Sequence, residues 1–145
     1  MNMDTLDQID QRIEAIRSIK DIADVPGGWI KYMRQALGLT MQVLAQRVGL
    51  PASNIAQAEK REIEGRITLD LLERFANAMD CEVVYSIVPK KDIRTFIHEK
   101  AQEKARFVLT SADHHMALEG RKVIAPLDER IERLAKKFIA ARDIW

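Results

Sequence analysis

The chain has 145 residues, 47% hydrophobic and 31% charged, and its 23 basic and 22 acidic side chains leave a formal net charge of +1. This is one modest domain with extensions, able to bury a core without disulfides; the balance argues against a nonspecific nucleic-acid coat but allows a local basic surface. Cys81 is alone and cannot bridge internally, no apolar run reaches a membrane span, and the polar start MNMDTLDQIDQR is not a signal sequence, so a soluble cytoplasmic protein is expected, with no membrane partner.

From Asp4 to about Ala23, Leu6, Ile9, Ile13, Ile16 and Ile19 recur at three- and four-residue steps, which predicts an amphipathic helix. Val25, Pro26, Gly27 and Gly28 stop it. Its apolar face needs cover from its own chain, the simpler expectation, or from another molecule. Trp29 to Leu37 reads as a second helix with Trp29, Ile30, Met33 and Leu37 on its apolar side, leaving Lys31 and Arg34 to solvent or phosphate, and Gly38 ends it.

Thr40 can cap a third helix through Val43, Leu44 and Val48, with Ala45 where another helix approaches closely. Gly49 permits a left-handed turn, Leu50 reaches the core, and Pro51 suits the first turn of a fourth helix. Chain direction therefore changes within about three residues, as a helix-turn-helix requires. That fourth helix buries Ile55 and Ala58 and leaves Ala52, Ser53, Asn54 and Gln57 on a face of short polar side chains. Asn and Gln can bond two groups on one base edge, while Ser and Ala allow close approach and an alanine methyl can touch a thymine methyl. The plain alternative is an ordinary surface helix of a bundle.

The order Leu44, Ala45, Gly49, Ile55 and Glu59 resembles the helix-turn-helix of phage repressors and their bacterial relatives, over about Trp29 to Met79. The resemblance implies operator DNA as a partner, with Ser53, Asn54 and Gln57 as base readers and Ala52 packed nearby. Thr40, Met41 and Gln42 would then sit at a helix start near phosphate. Glu59 would be a structural acid. Met41 and Arg61 depart from the family's usual polar residue and glycine.

Leu69, Leu72, Phe75, Ala76 and Met79 predict a fifth helix capped by Thr68. CEVVYSIVP then alternates Val83, Tyr85 and Ile87 with Val84, Ser86 and Val88, which predicts a strand. A lone strand leaves its backbone groups without partners, so pairing with a second copy is expected, with Val83, Val84, Tyr85 and Ile87 as dimerisation residues. A homodimer would present two reading helices to a palindromic site. The alternative is a strand-like segment buried against helices.

Pro89, Lys90 and Lys91 mark a boundary. Beyond it Ile93, Ile97, Ala101, Ala105, Val108, Ala112, Met116 and Glu119 trace one long helix, with a weak point near Thr110 and Gly120 as its terminator. A last amphipathic helix follows Pro126 through Leu127, Ile131, Leu134, Phe138 and Ile144.

The fragment HMALEG, His115 to Gly120, taken with RITLDLLERFANAMDCEVVYSIVPKK, closely resembles the family called mobile mystery protein A, over roughly Trp29 to Gly120. The resemblance implies a small regulator encoded beside a Fic-domain protein, an enzyme that transfers AMP from ATP to target hydroxyls. Inhibitors of such enzymes carry Ser or Thr, three residues, Glu, then Gly or Asn on a helix. Glu119 and Gly120 match that pattern, while His115 stands at the Ser/Thr position. By the resemblance Glu119 would pair with the partner's arginine that holds the ATP γ-phosphate, competing for the same charge-assisted bonds. An imidazole one turn away can orient that carboxylate.

His114 and His115 diverge by about 100° on a helix and make a poor chelating pair. Ser111, Asp113 and His114 share the letters of a hydrolase triad but lie too close in sequence to imply its geometry. No glycine-rich phosphate loop is present, so a non-enzyme without metal or cofactor is expected. The predicted fold is mainly α: a phage-repressor-like helix-turn-helix bundle with one short β-strand and a C-terminal helical extension. Its parts are residues 1–28 (helix and linker), 29–80 (DNA-binding domain), 81–89 (dimerising strand) and 90–145 (partner-binding extension). The expected function is an antitoxin-like transcriptional regulator that inhibits a Fic-domain partner. The alternative is a stand-alone repressor whose C-terminal region dimerises or senses a ligand.

Overall fold

The computed structural model describes residues 3–120 and 125–145. Seven helices are formed among them: α1 (Met3–Ser18), α2 (Trp29–Ala36), α3 (Met41–Val48), α4 (Ala52–Ile63), α5 (Leu69–Ala78), α6 (Ile93–Leu118) and α7 (Leu127–Ala141). They fall into two compact units, one of Ala15–Ile87 and one of Met1–Glu14 with Val88–Trp145. None of the described helices is long and apolar enough to cross a membrane.

In the first unit, α2 to α5 close around Ile30, Leu44, Ala45, Val48, Ile55, Ala58, Phe75 and Met79, with Met33, Leu39, Leu50 and Leu72 packed at the edge. Removing a side chain of this size from water stabilises the fold by about 1.5–3 kcal/mol. The helix boundaries follow local chemistry. Thr40 Oγ1 accepts from Val43 N–H at 3.1 Å and Thr68 Oγ1 from Leu71 N–H at 3.2 Å, so both threonines cap as expected. Gly49, at φ 77°, ends α3 in the left-handed region, and the N–H groups of Gly49 and Leu50 both reach the Ala45 carbonyl. Pro51 stands at the N-cap of α4 instead of its first turn, and its carbonyl accepts from Asn54 N–H at 2.9 Å.

The apolar side expected for α2 is half realised. Ile30 is buried, but Trp29 and Leu37 are exposed. Arg34, one turn beyond Ile30, takes the inward position, while Leu37 falls at the C-cap where the chain turns away. Trp29 is held instead by its indole N–H, which donates to the Ala23 carbonyl at 2.7 Å, and by edge contact with Tyr32 at 5.6 Å between ring centres. The start of α2 is capped from a distance: Glu62 accepts from the N–H groups of Trp29 and Ile30 at 2.6 and 2.9 Å.

The strand expected over residues 81–89 is not formed, and the described residues contain no strand. Cys81 N–H bonds the Ala76 carbonyl at 2.9 Å, after which the segment runs on without a ladder. The reason is the one that made a lone strand suspect: β-structure needs a neighbouring backbone, and the described part of the chain offers none. Val84 and Ile87 are left 86% and 94% exposed, Tyr85 is exposed, and Val83 is half-buried.

In the second unit, α6 runs unbroken through Thr110. Its N-terminus is held by two aspartates. Asp92 accepts from Thr95 N–H at 2.7 Å, and Asp10 of α1 accepts from Ile93 N–H at 3.0 Å, while Asp7 pairs with Arg94. Hydrogen bonds from the Thr95 hydroxyl and N–H hold the Asp92 carboxyl below the usual aspartate range. The helices α6 and α7 meet through Ala101, Ala105, Ile131 and Ala135, where the three small alanines permit close approach. The stripe expected to continue through Val108 and Ala112 leaves the interface, since both are exposed; Leu109 and Asp113, at four-residue steps from Ala105, continue it. Asp113 receives both Arg130 Nη groups, at 2.7 and 2.9 Å.

Candidate nucleic-acid interface

The turn between α3 and α4 sets the geometry of the site. Leu44, Ala45, Val48, Ile55 and Ala58 face the core, so 3.6-residue periodicity turns Ala52, Ser53 and Gln57 outward, and all three are exposed. Asn54 is half-buried in the first turn of α4, a less open position than that of its neighbours. Thr40, Met41 and Gln42 are exposed at the start of α3, but the Thr40 hydroxyl is occupied as a cap.

A shallow groove crosses the turn, lined by Gln42, Gln46, Gly49, Leu50 and Ala52. It joins the start of α3 to the start of α4. Gln46 belongs to this surface and was missed by sequence reasoning, although its four-residue step from Gln42 places both amides on one face of α3.

Arg34 is not available to phosphate, contrary to expectation. It is 8% exposed and Glu59 6% exposed; Arg34 Nε donates to Glu59 at 2.7 Å and Nη1 to the Leu39 carbonyl at 3.1 Å. Two other arginines also brace the bundle. Arg47 donates to the Ala78 carbonyl and to Asp80 at 3.1 Å, and Arg74 donates to the Val48 carbonyl at 2.9 Å. Cations on the outer surface of this unit include Lys31, Lys60, Arg61 and Arg66. Lys60 lies one turn beyond Gln57 and has only a 3.8 Å approach to Glu64, a contact loose enough for phosphate to replace.

The residues singled out near the end of α6 lie in the other unit. His115 and Glu119 are exposed one turn apart, Glu119 N–H donates to the His115 carbonyl at 3.1 Å, and Gly120 turns the chain at φ 74°. Phe107, Val108 and Leu118 are exposed along the same helix. The rings of His114 and His115 stand 6.3 Å apart. Among the described residues no three His, Cys, Asp or Glu side chains gather closely enough to hold a metal ion.

The helix-turn-helix family model matches residues 30–86, from the second residue of α2 through α5 to Ser86 in the segment that follows. Comparison with curated proteins and with solved structures gave no match. These residues form a helix-turn-helix domain of the DNA-binding regulator type, and the match ends before α6 begins.

Proposed function

We propose that this chain, whose residues 30–86 form a helix-turn-helix domain, is an antitoxin-like transcriptional regulator that binds operator DNA as a homodimer and inhibits a Fic-domain AMP transferase. The observation that carries the DNA half is the outward face of α4, where Ala52, Ser53 and Gln57 stand exposed on a helix with a buried opposite side. Such a face fits a major groove, which admits a helix and presents a donor and acceptor pattern at each base pair.

Dimerisation is supported by the exposed Val84, Tyr85 and Ile87, an apolar run adjoining the reading domain. Two domains related by a two-fold axis would read half-sites about 34 Å apart. The inhibitory half rests on the resemblance of His115 to Gly120 to Fic inhibitors and on Glu119 being exposed at the end of a long helix. There a carboxylate could enter a partner's ATP pocket and take the arginine that holds the γ-phosphate.

A second reading, the stand-alone repressor, is favoured by the separate core of α6 and α7, which would suit a dimerisation or sensing module. One experiment separates the two. The protein encoded beside this chain is co-purified with wild type or with Glu119→Gly, and ATP-dependent AMP transfer is measured at equal binding. Transfer appearing only with Glu119→Gly is the expected result. A partner that transfers AMP equally well while bound to wild type would overturn the inhibitory reading and leave the repressor.

A further inference from the structure

The composition of the reading face restricts the DNA it can take. Over the first two turns of α4 the exposed side chains are Ala52, Ser53, Ala56 and Gln57, and the adjoining groove adds Gln42 and Gln46. None carries a charge. The commonest specific contact to guanine is an arginine or lysine held on O6 and N7, while glutamine matches adenine N6 and N7, and alanine matches the thymine C5 methyl.

Three arginines around the turn brace the bundle: Arg34 donates to Glu59, Arg47 to Ala78 and Asp80, and Arg74 to Val48, while Arg61 lies at the far end of α4, beyond Lys60. Lys60 is the first cation met along this face of α4, a turn beyond Gln57. In helix-turn-helix docking the N-terminal residues of the recognition helix meet base edges, which places Lys60 toward the phosphates that wall the groove. Charge therefore contributes affinity at the rim, and neutral groups choose the bases.

Resting on the reading of α4 as a DNA interface, we infer that each half-site is read at A·T pairs, with Gln57 on an adenine and Ala52 against a thymine methyl. Guanine is not used as a direct contact in that core. A polar pair of amides on α3, Gln42 and Gln46, extends the same neutral surface.

The test uses the full chain and a pool of randomised duplexes. Bound duplexes are enriched at fixed ionic strength, and the enriched sequence is rebuilt with 7-deazaadenine, 7-deazaguanine or deoxyuridine at single positions. The expected result is a core of A·T pairs in which one 7-deazaadenine weakens binding about fivefold or more, since one good base contact is lost. Deoxyuridine weakens binding at the position beside Ala52, and any guanine that the enriched sequence retains outside the A·T core tolerates 7-deazaguanine. In Gln57→Ala, checked for unchanged helicity, the 7-deazaadenine effect disappears. A core with guanines sensitive to 7-deazaguanine, or an adenine effect that survives Gln57→Ala, would overturn this inference while leaving DNA binding intact. Absence of any enriched duplex would overturn the DNA-interface reading itself.

Discussion

The Arg34 guanidinium meets the Glu59 carboxylate at 2.7 Å inside the bundle, joining α2 to α4 two residues beyond the outward-facing Gln57. Because Arg34 also donates to the Leu39 carbonyl, one side chain fixes both the rotation of α4 and the path of the chain into α3. The pair therefore governs which face of α4 is presented. Breaking it leaves a buried charge without its partner, whereas removing both charges leaves an apolar contact.

Arg34→Met alone is expected to lower the unfolding free energy by about 3–5 kcal/mol, and Glu59→Leu alone by a similar amount. The double variant should recover most of the loss, so the cycle has a large coupling energy. Urea denaturation of the four proteins measures it. Additive losses would show that the pair is not coupled.

Gly28 adopts φ 82°, and a Cβ placed there would lie 2.8 Å from the Glu62 carboxylate oxygen that caps α2. Gly28→Ala therefore combines backbone strain with displacement of the cap, and a loss of about 1–3 kcal/mol is expected. Glu62→Ala should cost about 1 kcal/mol, as loss of a helix cap does. If Gly28→Ala is as stable as wild type in thermal melts, the close approach of Glu62 is wrong.

Much of the DNA-binding unit was legible in the sequence because its signals are local. Thr40, Thr68 and Gly49 act within three or four residues of themselves, and each does in the structure what its residue type suggests. What escaped is long-range. Arg34 reads as a surface cation until Glu59, on another helix, draws it inward, and Glu62 caps a helix more than thirty residues earlier. The valine-rich run at residues 81–89 has strand composition but no ladder partner among the described residues, so propensity alone could not make it a strand. Along α6 the apolar spacing runs from Ala105 to Val108 and Ala112, but packing against α7 selects Leu109 and Asp113, the latter a polar residue that apolar spacing does not mark. In the candidate site, Gln46 carried only its spacing from Gln42 as a signal.

Hydrogen bonds from Arg130 hold the Asp113 carboxyl below the usual aspartate range. A depressed folded-state value means the carboxylate contributes stability above the unfolded value, about 3.9, and that this contribution is lost as pH falls through the folded value. The unit of α6 and α7 should thus become easier to unfold as pH drops below about 4. Asp113→Asn should flatten that part of the curve. Equal acid sensitivity in both proteins by helical circular dichroism would assign the effect to other groups.

Val84, Tyr85 and Ile87 are exposed apolar side chains in a run that adjoins the reading domain, and the proposed dimer covers them. A charge placed in that contact is costly, so Ile87→Lys is expected to shift wild-type dimers to monomers in sedimentation equilibrium. Because Ile87 is almost fully exposed in the single chain, monomer stability should be unchanged. A wild-type protein that sediments as a monomer at all concentrations contradicts the dimer.

The most direct measurement is fluorescence anisotropy of the full chain on the duplex upstream of its own gene, over a range of salt, with wild type, Gln57→Ala and Lys60→Ala. Saturable binding that falls with salt is expected, because phosphate contacts release counterions. Gln57→Ala should weaken binding by about 1–3 kcal/mol with the salt slope kept, and Lys60→Ala should reduce the slope by about one. Binding that ignores both salt and Gln57→Ala would contradict the assignment of α4 as the reading helix.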